Sequence, residues 1–263
     1  HEKEVFLPFY AREDKDFTIA RTYYVAGNVV GASNDNNGLH PDHRGGKDGP
    51  FRDFNDWKVR GKLFGPDDGV RMIVREGTYV VENIGEDGVV LDGRGDEFHP
   101  VILSGYPGER AVLTSDGTVN VPVQIHGRHG IVENLVVASD REVKYDMIVT
   151  GDNAIVRNCV FVGPVHEDCI KIGDQADHCF LFNNDISGYG SQCVDNFGVN
   201  ILFRKNHVHH AGNWKANALG TKGGTHRVVV ASNVFHDLSG GISFGGTGNL
   251  ELYRRGRDGN LLH

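Results

Sequence analysis

The sequence predicts an all-β solenoid, a parallel β-helix with a short N-terminal capping helix, and three observations carry the prediction. An asparagine returns in a fixed apolar frame: Ile131-Val-Glu-Asn134-Leu-Val136, Ile155-Val-Arg-Asn158-Cys-Val160, Leu181-Phe-Asn-Asn184-Asp-Ile186, Phe203-Arg-Lys-Asn206-His-Val208 and Val230-Ala-Ser-Asn233-Val-Phe235. The intervals between these asparagines are 24, 26, 22 and 27 residues, too short for the common helical repeats. Second, the repeated segments are rich in Val, Ile and Phe, so each repeat reads as a coil of short strands. Third, Gly makes up 36 of 263 residues and Pro only 8, which suits many tight turns between such strands. A buried asparagine at every turn can donate to a carbonyl of one coil and accept from the next.

The elements follow in order, and one domain over residues 1–263 is expected. Residues 1–65 form an N-terminal strand, loop and cap, residues 66–246 the coils and residues 247–263 a tail. Thr22-Tyr-Tyr-Val-Ala26 reads as the first strand, and the polar stretch from Gly27 to Gly49 as a long surface loop. Phe51, Phe54 and Trp57 fall at i, i+3 and i+6 and predict a short amphipathic helix. A helix there would cover the apolar, edge-exposing end of a solenoid. Val70 to Val80 predicts a strand and turn, and Pro100 to Leu113 two strands around a Gly/Pro corner. From Val121 each coil holds the asparagine frame and a second strand ending at Gly. The latter are Val123-Gln-Ile-His-Gly127, Met147-Ile-Val-Thr-Gly151, Cys169-Ile-Lys-Ile-Gly173, Val194-Asp-Asn-Phe-Gly198, Leu219-Gly-Thr-Lys-Gly223 and Ile242-Ser-Phe-Gly245. Stacked about 4.8 Å apart, they would build one long parallel sheet. The polar tail after Gly246 is expected either to fold over the last coil or to belong to a truncated chain.

With 27 basic against 35 acidic residues, a formal charge of −8 argues against a nucleic-acid or membrane-surface binder. A locally basic cleft for a polyanion stays open, since Arg254, Arg255 and Arg257 cluster near the end. No apolar run approaches membrane-spanning length. The chain opens at His1 without Met or an apolar leader, so a signal peptide is expected to have been removed or never present. Cys159, Cys169, Cys179 and Cys193 lack paired zinc-ligand spacing and are expected as buried free thiols, with a disulfide the alternative.

The opening third carries a family resemblance. Thr22-Tyr-Tyr-Val, the Asn/Asp/Gly loop, Gly49-Pro-Phe51, Arg75-Glu-Gly-Thr-Tyr79 and Ile102-Leu-Ser-Gly-Tyr-Pro-Gly-Glu109 resemble the start of secreted right-handed parallel β-helix proteins. Among these are polysaccharide lyases acting on alginate, pectate and chondroitin-type chains. Gly220-Thr-Lys-Gly-Gly224, Ser232-Asn-Val-Phe-His-Asp237 and Gly240-Gly-Ile-Ser-Phe-Gly-Gly246 are similar to the same group. The resemblance implies a right-handed parallel β-helix, a secreted or periplasmic monomer, and β-elimination on a uronate-containing polysaccharide, alginate first and pectate second. In that reaction a base removes the C5 proton, the sugar carboxylate is neutralised, and an acid protonates the leaving oxygen.

Lys171 lies between Ile170 and Ile172 and should point away from the core, and Lys222 sits in a glycine-flanked place two coils on. These are the first candidates for catalysis, with Tyr189 in the turn Ser187-Gly-Tyr-Gly190, expected to be exposed, and His210. Asn196, His166, Arg254 and Arg255 are candidate substrate-binding residues. Asp195, Asp168 and Glu167 could hold Ca²⁺, since hard oxygen ligands suit that ion; no cofactor is otherwise implied. His209 and His236 occupy equal offsets in successive coils and should form an outward ladder.

Three rival readings remain. An alginate C5-epimerase shares the proton abstraction. A glycoside hydrolase would use closely placed aspartates, and His166-Glu-Asp-Cys-Ile-Lys-Ile172 resembles the Asp-Asp-Cys segment of polygalacturonase-type enzymes, with Glu167 replacing the first Asp. A non-catalytic carbohydrate-binding solenoid would tolerate loss of both lysines.

Overall fold

A computed structural model describes residues 13–245, except 66, 86, 140–142, 164 and 212–215 and the side chains of Val165 and His166. The chain winds as a parallel β-solenoid whose coils each add one strand to each of three parallel sheets. One coil runs Ile155–Arg157, Val160–Val162, Val165–Ile172, and the next Phe180–Phe182, Asp185–Ser187, Gln192–Asn196. We call the sheets first, third and second in that order. The first begins with Arg21–Val25 and has eight strands; the other two have seven each. A continuous buried core runs through the middle from Tyr23 to Leu219, and the four cysteines are free and buried in it. Among the described residues no helix is long and apolar enough to cross a membrane.

The expected amphipathic helix is absent. Phe51 and Phe54 are fully buried in non-helical chain, with Phe51 bridged to the first strand at Val25. Only Trp57–Arg60 is α-helical, followed by a 3-10 turn at Gly61–Leu63, so the capping role is not established by it. Asp56 caps this turn by accepting from the Lys58 amide at 2.7 Å. Arg60 is fully buried, and its guanidinium donates to the carbonyls of Phe54, Glu82 and Gly88. Aromatic spacing imitated a helix because both phenylalanines face one core from an irregular segment.

The asparagine frame is real but holds two positions rather than one. Strand register pairs Ile155 with Ile131 and with Phe180, and Phe180 with Leu202. Asn134 and Asn158 therefore align with Asn183, Lys205 and Ser232, and all five have left-handed backbones with φ of 55–57°. Asparagine tolerates that conformation better than most residues. The next position along holds Leu135 and Cys159 in early coils, then Asn184 and Asn206, both buried, and Asn233, partly buried, which form the ladder. Asn184 Nδ2 donates to Val156 O at 3.0 Å, Asn206 Nδ2 to Leu181 O at 3.0 Å and Asn233 Nδ2 to Phe203 O at 2.9 Å. Their Oδ1 atoms accept backbone amides from Cys159, Asn184 and Asn206 respectively.

The outer face of the first sheet is covered. Phe17 and Ile19 pack on the outward column Ile102, Ile131, Ile155, Phe180 and Leu202. Asp14, on the same segment, pairs with Arg71 at 3.0 Å and with Arg157 at 3.5 Å. The second sheet carries the lysines predicted to face outward.

Candidate functional site

In three successive coils of the second sheet strict alternation breaks. Cys169 and Ile170, Cys193 and Val194, and Ala218 and Leu219 are consecutive pairs buried in the same core. The outward positions on either side of the pair are thereby brought together, which is how Asp168 and Lys171 come within 4.0 Å. Register places Ile148, Lys171, Asp195, Gly220 and Ser243 in one column. Lys222 is not in that column; it stands two residues past Gly220, at the strand end.

Both lysines nevertheless converge on one carboxylate. Lys171 Nζ contacts Asp195 Oδ2, and Lys222 Nζ lies 2.7 Å from Asp195 Oδ1. Asp195 is 2% exposed, so two ammonium groups form a lid over a buried acid. Gly220 supplies the room: a Cβ there would come within 2.7 Å of Gln192 Oε1. After Lys222 the chain turns through Gly223 and Gly224, with φ of 64° and 78°, a conformation that favours glycine. Phe197, beside Lys222, floors the site, with the Lys171 ammonium 4.3 Å and the Lys222 ammonium 5.8 Å from its ring centroid.

Asp168 completes the charge pattern. It accepts the Gln192 amide at 3.0 Å. Burial, and then the Asp195 charge, push its carboxyl up to about 6, while Lys171 and Lys222 oppose the shift. Tyr145 lies at the margin, donating to Glu167 Oε2 at 2.6 Å, with its ring centroid 5.9 Å from Lys171 Nζ. Burial and the Glu167 contact push the Tyr145 hydroxyl up. Tyr145, Phe197 and Gln192 escaped sequence reasoning, because nothing but stacking register links them to the lysines.

Other candidates lie elsewhere. Tyr189 is fully buried in the core rather than exposed in a turn as expected, and burial pushes its hydroxyl up. Asn196 faces inward and is fully buried, its Oδ1 accepting the Gly198 amide at 2.9 Å, which fixes a turn rather than a ligand. His210 belongs to a histidine cluster on the third sheet, with Asp237 3.5 Å away. The His166 side chain and Arg254, Arg255 and Arg257 lie outside the described residues.

Glu167, Asp168 and Asp195 do not suit a calcium cage as they stand. Both Asp195 oxygens face ammonium groups, and Glu167 is engaged by Tyr145 and, at 3.9 Å, by Lys144. Among the described residues, the groups whose ligand atoms gather closely are instead Asp185, His207 and His209, and His210, His236 and Asp237.

No protein-family model matches the chain, and no curated protein matches its sequence. Among solved structures it is similar to pectate lyase Pel9A, with 14% identity and a TM-score of 0.48, covering 80% of this chain and 54% of that one. It is also similar to a rhamnogalacturonan lyase, with 10% identity and a TM-score of 0.42, covering 85% of this chain and 62% of that one. The chain thus spans less than two thirds of either protein.

Proposed function

We propose that the second-sheet face is the active site of a polysaccharide lyase acting on a uronate-containing polymer. The observation that supports it is the convergence of Lys171 and Lys222 on Asp195. The Lys171 and Lys222 side chains are 24% and 21% exposed against 8% and 3% for Asp168 and Asp195, so the cations are the charges presented on a sheet face long enough to hold an extended chain. Lys171, fixed between Asp195, Asp168 and the Phe197 ring, neutralises the sugar carboxylate. Lys222, after passing its own proton to solvent, takes the C5 proton beside the glycine-flanked turn. The electron pair freed at C5 forms the C4=C5 bond, the C4–O bond breaks, and the ammonium returns the proton to the leaving oxygen. Hydrolysis is a poorer fit, because Asp168 and Asp195 are 5% and 2% exposed and lie beneath lysine rather than flanking space for a water.

The carboxylate on every sugar is what the site answers to, so alginate is the first polymer to test and pectate the second. The expected result is ultraviolet absorbance of an unsaturated uronate from one of them. Lys222→Ala and Lys171→Ala should each lower kcat/KM on the order of a hundredfold or more. An EDTA arm with Ca²⁺ added back tests metal dependence; the geometry predicts no requirement. Turnover unchanged in both variants would remove the site, and C5 inversion without an unsaturated product would assign an epimerase.

A further inference from the structure

The third sheet bears a second cluster that the lyase reading does not use. Asp185 and His207 are register neighbours, as are His209 and His236. Around them runs a closed ring of polar contacts. Asp185 Oδ2 lies 2.7 Å from His207 Nδ1, His207 Nε2 lies 2.7 Å from His236 Nε2, and His236 Nδ1 lies 2.8 Å from Asp237 Oδ2. The ring returns through Asp237 Oδ2 to His210 Nε2 at 3.5 Å, His210 Nδ1 to His209 Nδ1 at 2.6 Å, and His209 Nε2 to Asp185 Oδ1 at 3.0 Å.

Proton accounting shows what this ring needs. A neutral imidazole carries one N–H and one lone pair. In the path Asp185–His207–His236–Asp237, three N–H groups are required: one toward each carboxylate and one between the rings. Two neutral imidazoles supply only two, and the path through His209 and His210 has the same deficit. With every histidine neutral the ring carries two negative charges and two mismatched contacts. Two further protons or one divalent cation on the opposed lone pairs would meet this deficit, and the close gathering of the ligand atoms points to the cation.

We propose that Asp185, His207 and His209 bind one divalent first-row transition metal ion of the zinc type. Their ligand atoms already lie close together, with both histidine nitrogens within 3.0 Å of an Asp185 oxygen. Imidazole and carboxylate donors select such ions over Ca²⁺, which prefers an all-oxygen set. This trio is better enclosed than the other: the Asp185 and His207 side chains are 42% and that of His209 18% exposed, against 42%, 66% and 62% for His236, His210 and Asp237. Asp185 lies one coil before the histidines, so the ion ties two coils together.

The test is titration of EDTA-treated, dialysed protein with Zn²⁺ by calorimetry, and with Co²⁺ by visible absorption. Binding of one ion per chain is expected, with a rise in Tm that Ca²⁺ does not reproduce. Asp185→Asn and His209→Asn should weaken binding at least about tenfold, with unchanged circular dichroism. His210→Asn, which removes only the outer partner of His209, should weaken binding less than either trio variant. No binding of either ion, or equal binding by wild type and both trio variants, would overturn the proposal. Loss confined to His210→Asn would place the ion on the other trio and overturn it equally. Every readout is binding or stability, so the outcome is independent of lyase turnover.

Discussion

At the residue scale, one letter does different work one position apart. Asn158 is exposed at a left-handed turn with φ of 55°, so Asn158→Gly should change stability by only a few tenths of a kcal/mol. Asn206 is 1% exposed and lies mid-ladder, so Asn206→Ala would strand the buried Asn184 amide groups. A loss of about 3 kcal/mol is expected, and urea unfolding of the two variants makes the comparison. Asp146 is a second residue-scale case. It is fully buried, accepts from Ser139 Oγ at 2.6 Å, and burial pushes its carboxyl up to about 7. The folded chain therefore holds this proton more tightly than the unfolded chain. The resulting stabilisation is complete below the ordinary carboxylate range and fades as pH rises toward 7. Asp146→Asn should remove that dependence, so that from about pH 4 to about pH 8 wild type loses on the order of 4 kcal/mol relative to the variant.

At the element scale, the segment Phe51–Leu63 is held by polar contacts as much as by apolar packing. Arg60 satisfies carbonyls from three separate stretches while wholly buried. Arg60→Met keeps most of the bulk and removes the donors, so a loss of about 3 kcal/mol or more in urea unfolding is expected. Sequence periodicity placed a helix here because period alone cannot distinguish a helical face from an irregular chain that presents every third side chain inward. The second-sheet strands show the opposite case. Glycine-ended strands were legible, and so was an outward Lys171. The consecutive buried pairs that bring Asp168 to Lys171 were not, because Cys169-Ile170 reads equally well as one inward and one outward residue.

At the scale of the whole molecule, the faces of the solenoid differ in what they can do. The first sheet is sealed by Phe17 and Ile19, the second presents the lysine pair and the third the histidine ring. The described end of the solenoid is also its least enclosed part: Val228–Ala231 is only partly buried, and Val234 and Phe244 are 57% and 78% exposed. Amide exchange should therefore be faster across 228–244 than across 155–204, with uniform protection as the contrary result.

Sequence alone determined the repeat, the parallel stacking, the buried thiols and the outward direction of Lys171, because all are local patterns repeated coil after coil. It also placed His209 over His236, now seen as stacked rings 5.2 Å apart. Register was decided only in three dimensions. Register partners along the first sheet from Arg71 to Val229 are 31, 29, 24, 25, 22 and 27 residues apart, so equal spacing in sequence does not mean equal place in a sheet. One residue separates the two asparagine positions, while packing turned Asn196 inward, enclosed Tyr189 and brought Lys222, two residues past the Lys171 column, to the same buried carboxylate. Side-chain direction alternates with every residue along a strand, so a site built by stacking depends on a register that only the packed structure sets.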